Sequence, residues 1–254
     1  MLTYGENIWD FSGVENEIEL FKEVWDRRPI IDNKGGMSSN HMFWTWYAMK
    51  RLNPKYIIES GVWKGQGTWL LQEACPDAKI FSIDINLDKR EYKSEDVTYY
   101  SDDFSCIDWS QITDKENTVI FFDDHQNAYN RLLQMKFMGF RKAFFEDNYP
   151  VGHGDCYSLK QILEEGCKGR PHEYGGGYKA HAVYVKNNVH TYFEFPPIYK
   201  LEQVRWGESW TQESFPTRKP VLTEIRSEMQ RVLYEEAKGY TWICYCELKG
   251  RRNI

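Results

Sequence analysis

Tyr56-Ile57-Ile58-Glu59-Ser60-Gly61-Val62-Trp63-Lys64-Gly65-Gln66-Gly67-Thr68 is the stretch that decides the fold. Tyr56 to Glu59 is a short apolar run ending on a carboxylate, as a strand buried in a parallel sheet would be. The glycines that follow let the backbone turn sharply and pass close beneath a ligand. A helix around Trp69 to Ala74 would then begin with unpaired N–H groups. A dinucleotide-binding turn has the spacing G-x-G-x-x-G. Here Gly61, Gly65 and Gly67 are spaced differently and follow an acid, which would repel a pyrophosphate and suit a cationic amino-acid ligand.

The same pattern repeats downstream. Ile80 to Asp84 reads as a second strand, Val97 to Ser101 as a third followed by Asp102 and Asp103, and Thr118 to Phe122 as a fourth followed by Asp123 and Asp124. Asn127 to Met138 is helical and stops at Gly139. Ala143 to Phe145 is a fifth strand followed by Glu146-Asp147-Asn148. Apolar strands alternating with helices predict an α/β fold, a parallel sheet with helices on both faces. Ligands bind such sheets beyond the carboxyl ends of the strands, and every strand here ends in an acid.

Outside this region the signals are weaker. Glu15 to Trp25 and a segment capped by Ser38 or Ser39 and running to Leu52 are helical, giving an N-terminal helical cap over 1–53 and a ligand-binding domain over 54–254. Tyr157 to Glu165 reads as helix and Lys168 to Lys179 as loop. Val183 to Val185 and Thr191 to Phe195 read as paired strands, Glu224 to Lys238 as helix and Tyr240 to Leu248 as a last strand. Tyr199 to Pro220, with Trp206 and Trp210, is irregular and belongs to a substrate or lid insertion around 168–222.

The glycine turn resembles the first motif of the class I S-adenosylmethionine-dependent methyltransferases: an acid, a spacer, Gly, three residues, Gly. That resemblance implies a Rossmann-like seven-stranded, mostly parallel sheet with an antiparallel last strand. It also implies that S-adenosyl-L-methionine is held by Glu59, Gly61, Gly65, Gly67 and Thr68, with Asp84 on the ribose hydroxyls and Ile85 and Asp123 nearby. Asp102 or Asp103 would contact the adenine.

Two strand ends carry further chemistry. Phe121-Phe122-Asp123-Asp124-His125 and Phe144-Phe145-Glu146-Asp147-Asn148 should converge, and carboxylates with a carboxamide form a hard oxygen site suited to Mg²⁺. The pair resembles the catechol O-methyltransferases, and also the macrolide-sugar O-methyltransferases and the cephalosporin hydroxylase-like group. Carried over, Asp124, Asp147 and Asn148 are the metal ligands, with Glu146 as the alternative. The catechol enzymes place a lysine three residues after the first metal aspartate, where this chain has Asn127. The base is then His125 or His153, the latter in the loop Gly152-His153-Gly154.

The expected activity is metal-assisted methyl transfer to a hydroxyl of a sugar, polyol or phenol. Alternatives are other chemistry of the hydroxylase-like group, or a non-catalytic S-adenosylmethionine-binding protein. A net charge of −6 disfavours nucleic acid as a partner. The first residues, with Glu6 and Asp10, lack the apolar core of a secretory signal, and no apolar run reaches membrane-spanning length. Six cysteines without regular spacing fit reduced thiols in a cytoplasmic protein. A grouping of His153, Cys156, Cys167 and His172 matches no zinc knuckle. A homodimer is left open. The aromatic fraction, 16%, serves either a ring-rich core or a pocket for a flat or sugar-like ligand.

Overall fold

The computed structural model describes residues 9–166 and 178–250. Seven strands form one sheet in the order β3-β2-β1-β4-β5-β7-β6: β1 Tyr56–Ser60, β2 Lys79–Ile83, β3 Val97–Tyr100, β4 Thr118–Phe122, β5 Lys142–Phe145, β6 Val189–Glu194 and β7 Cys244–Leu248. Strands β1 to β5 pair in parallel, and β7 runs antiparallel between β5 and β6. The expected Rossmann-like architecture with an antiparallel last strand is present.

Side chains alternate across the sheet, so each strand feeds two cores. Ile57, Val119, Phe121, Phe144 and Tyr245 face one side, where they meet α1 Val14–Asp26, α2 Ser39–Leu52, α3 Gln66–Ala74 and α7 Glu228–Glu235. Ile58, Ile120, Phe122, Phe145 and Cys246 face the other, against α4 Ala128–Met138, α5 Leu159–Leu163 and α6 Tyr178–Asn188. Helices α1 and α2 therefore share the core of the sheet. Most of the aromatic surplus is spent there: Phe43, Trp44, Tyr47, Phe193 and Phe195 pack within one cluster.

One expected element is wrong. Val183 to Val185 lies inside α6, not in a strand. Three apolar residues in a row cannot separate strand from buried helix. The deciding spacing is Ala182 and Val185, three apart and both buried, while Val183 is 57% exposed. The partner of β6 is β7. Helix α7 also starts later than expected, at Glu228, where Ser227 accepts a hydrogen bond from the Gln230 N–H.

The irregular stretch after Tyr199 is anchored by rings: Trp210 stacks on Trp242, and Trp206 packs on His153 and Tyr149. The expected loop over 168–177, Cys167 and His172 lie outside the described residues. The five described cysteines are unpaired, and no described helix is long and apolar enough to cross a membrane.

Candidate functional site

Strand β1 lies between β2 and β4, so the chain leaves β1 and β4 towards opposite sides and opens a crevice at their carboxyl ends. A cavity of about 460 Å³ occupies it, lined by Ser60 and Gly61 after β1, Asp84 after β2, and Asp123 and Asp124 after β4. Gly61 has φ 102°, and a Cβ there would collide with the Asp123 carbonyl. Only glycine lets the two strand ends approach this closely. Asp84 is fixed at the lip: its Oδ2 accepts from the Val62 N–H at 3.0 Å and the Trp63 N–H at 2.8 Å, and its Oδ1 from the Asn86 N–H.

Glu59 lies beneath this turn, fully buried. Its Oε2 accepts from the hydroxyls of Thr68 at 2.5 Å and Ser82 at 2.6 Å, while Oε1 has no partner. Burial pushes its carboxyl up to about 7, which the two hydroxyls only partly offset.

Of the residues expected to hold the cofactor, Gly61, Asp84, Ile85, Asp103 and Asp123 line the cavity. Glu59, Gly65, Gly67 and Thr68 do not; they shape the turn from below, Gly65 opening α3 with φ 94°. Asp102 faces a separate shallow depression beside Tyr100 and Gln111, so of the two adenine candidates only Asp103 reaches the cavity. Arg131 grips Asp103 with both guanidinium nitrogens, at 3.1 and 2.7 Å, and these bonds hold its carboxyl well below the usual range.

At the edge of the cavity, Asp123, His125 and Asp147 bring ligand atoms within 4.8 Å of one another. Of the expected ligands, only Asp147 belongs to this cluster. Asp124 turns away, accepting from Ser60 Oγ at 2.6 Å and pairing with Arg131 at 2.8 Å. Asn148 is fully buried with both ends engaged: Nδ2 donates to Tyr192 and Oδ1 accepts from the Lys160 N–H, each at 2.9 Å. Glu146 is bonded to His41.

The charges of the cluster oppose one another. Burial, then the nearby Glu146 carboxylate, pushes Asp147 up to about 8. Burial and the Glu146 and Asp147 charges raise Asp123 well above its ordinary value. Burial alone would lower His125, but Asp147 and Asp155 raise it. Asp147 Oδ1 accepts from the Tyr149 hydroxyl, and Oδ2 is buried without a hydrogen bond, 3.3 Å from His125 Nδ1. Two carboxylates and an imidazole with such an orphaned oxygen are a donor set that a divalent cation fits.

Two residues missed from sequence organise this rim. His41 on α2 is buried, and its Nε2 accepts from the Thr241 N–H at 2.9 Å. The ring proton therefore sits on Nδ1 and is donated to Glu146. Burial would raise Glu146, but His41 holds it below its ordinary value. Arg131 bridges Asp103 and Asp124. Neither carries a local signal: His41 sits in an apolar helix and Arg131 in an amphipathic one. His153, a candidate base, is not at the cavity; its Nε2 lies 2.6 Å from Glu208, and its ring packs on Trp206 and Phe215.

No family model matches the chain, and no curated protein matches it. Similar solved structures include the O-methyltransferase TomG of Streptomyces achromogenes in complex with S-adenosylmethionine, at 10% identity, 97% of this chain, 92% of that one and a TM-score of 0.47. An O-methyltransferase of Bacillus cereus is similar at 11% identity over 95% and 93%, with a TM-score of 0.43. The Podospora anserina methyltransferase PaMTH1 is similar at 12% over 76% and 94%, also at 0.43.

Proposed function

We propose that this chain is a class I S-adenosylmethionine-dependent methyltransferase that methylates a hydroxyl of a small molecule with the help of a divalent cation, Mg²⁺ by the hardness of the donors. One juxtaposition carries the reading. The glycine turn and the fixed carboxylate of Asp84 line a cavity whose edge is the cluster of Asp123, His125 and Asp147.

In this reading Gly61 gives the cofactor's amino-acid part close access to the backbone, and the charge of Glu59 lies beneath it. Asp84, held by two backbone N–H groups, accepts hydrogen bonds from the ribose diol. Asp103 and Ile85 flank the base. Asp123 and Asp147 hold the cation. When bound, the donor supplies an electrophilic methyl group and the cation supplies positive charge that makes a nearby hydroxyl more acidic.

The chain's own groups do the rest. His125, tethered through Nδ1 to Asp155 at 3.0 Å, is the residue we assign to receive the acceptor's proton. The bound donor would supply the methyl group to that oxygen, its sulfur keeping the electron pair of the carbon–sulfur bond. Arg131 keeps Asp103 ionised and fixes both Asp103 and Asp124 in place, so that the cavity wall does not rearrange during the transfer.

Calorimetric titration with S-adenosylhomocysteine tests the reading. Saturable binding in the roughly micromolar to millimolar range is expected, abolished by Gly61→Val and weakened by Asp84→Ala. Failure of the wild-type chain to bind at millimolar concentration would overturn it.

A further inference from the structure

A second cavity, of about 530 Å³, opens beside the first. Gly35 and Gly36 line both, and Glu146, the strand-end carboxylate next to Asp147, forms part of its wall. Neither Gly61 nor Asp84 lines it, so an occupant would reach the acidic cluster by a different route from the first cavity.

Its lining holds polar atoms that the protein leaves unsatisfied. Gln66, only 3% exposed, accepts from the Ile30 N–H through Oε1, but its Nε2 has no partner. Asn33 Oδ1 and Ser38 Oγ are likewise buried without a partner. Buried polar groups are ordinarily paired, and each orphan is costly. One amide donor, one carbonyl acceptor and one hydroxyl on the residues that line a single cavity are what a molecule with several hydroxyls would complete.

The charges add a second requirement. Although the chain carries a net charge of −6, the lining includes Arg28, Lys34, Arg205 and Lys238. Among the described residues no ion pair engages Lys34, Arg205 or Lys238. The lining acids are partly committed: Glu236 accepts from the Ser39 N–H at 2.7 Å and Glu146 from His41, leaving Glu235. Resting on the function proposed above, we propose that this cavity is the acceptor subsite and that the acceptor is a polyhydroxylated molecule bearing an anionic group, a carboxylate or a phosphate. The orphaned polar atoms take its hydroxyls, Arg205 and Lys238 take its charge, and one hydroxyl is presented towards the acidic cluster.

Calorimetry with four probes tests this: glucuronate, glucose 6-phosphate, glucose and inorganic phosphate. At least one of the first two should bind saturably, about tenfold or more tighter than glucose or inorganic phosphate, and which of the two binds identifies the anion. The exposed substitutions Arg205→Ala and Lys238→Ala should each weaken that probe severalfold. Asn33→Ala should do the same through the hydroxyl contacts. Equal affinity for glucose, binding of neither charged sugar, or charged-sugar binding indifferent to all three substitutions would overturn the assignment. S-Adenosylhomocysteine titrated into the same proteins separates the two readings. Its loss with sugar binding intact strikes the donor site alone, and the reverse strikes this subsite alone.

Discussion

Asp123-Asp124 after β4 and Glu146-Asp147 after β5 are matched acidic pairs on neighbouring parallel strands. Within each pair the two carboxylates are treated differently. Arg131 on α4 takes Asp124, and His41 on α2 takes Glu146. Asp123 and Asp147 have no such dedicated partner from a helix and meet around His125. The partnered members brace the rim. Asp123 and Asp147 are crowded by burial and by neighbouring carboxylates, a repulsion that a bound cation would relieve.

Removing the partner from a braced carboxylate should have the largest effect. Arg131→Met leaves Asp124 and Asp103 facing each other without a cation, and loss of about 3 kcal/mol is expected, a fall in melting temperature of roughly 6–12 °C. Adding Asp124→Asn to that variant should recover part of the loss. No recovery would show that Arg131 acts by packing alone.

Glu59 sharpens the comparison as a carboxylate with hydroxyl partners only. Its folded-state value, about 7, lies above the ordinary 4.5, so the folded protein binds the proton more tightly. Its contribution to stability is full below about pH 4.5 and is lost as the pH rises through about 7, by up to about 3 kcal/mol. Glu59→Gln should flatten the stability profile across that window, as read by denaturant unfolding at several pH values. An unchanged slope would place the titration elsewhere.

His41→Phe leaves Glu146 and the Thr241 N–H without their partner and should cost about 2 kcal/mol. The smallest effect has the opposite sign. Asp147→Asn keeps the Tyr149 hydrogen bond but removes the unfavourable charge, so a gain of about 1 kcal/mol is expected without divalent ions. The same variant should lose the rise in melting temperature that MgCl₂ gives the wild-type chain. Asp124→Asn should instead keep the Mg²⁺ response, because Asp124 is outside the cluster. Identical behaviour of the two variants would erase the distinction between the carboxylates.

The legible parts of this protein are those whose signal is local. Apolar runs of strand length, each closed by an acid, expose β1 to β5 and their acidic rim, and the glycine spacing after Glu59 locates the crevice. The strand expected over Val183 to Val185 is helix because three residues do not resolve a period, and Ala182, which shares the buried face with Val185, lies outside the run. Asp124 and Asn148 were expected to bind metal from the resemblance of the two strand ends to the catechol O-methyltransferases. In the fold Asp124 is engaged by Arg131 and Ser60, and Asn148 by Tyr192 and Lys160, commitments that no local pattern announces.

Sequence by itself determined that acids gather at one edge of a parallel sheet beside a glycine turn, because strand pattern and turn chemistry are properties of neighbouring residues. Which acids are spent on the fold and which remain available was decided only in three dimensions. Arg131 and His41 come from helices on opposite faces of the sheet, and a partner brought across the fold leaves no trace in the residues flanking the carboxylate it neutralises.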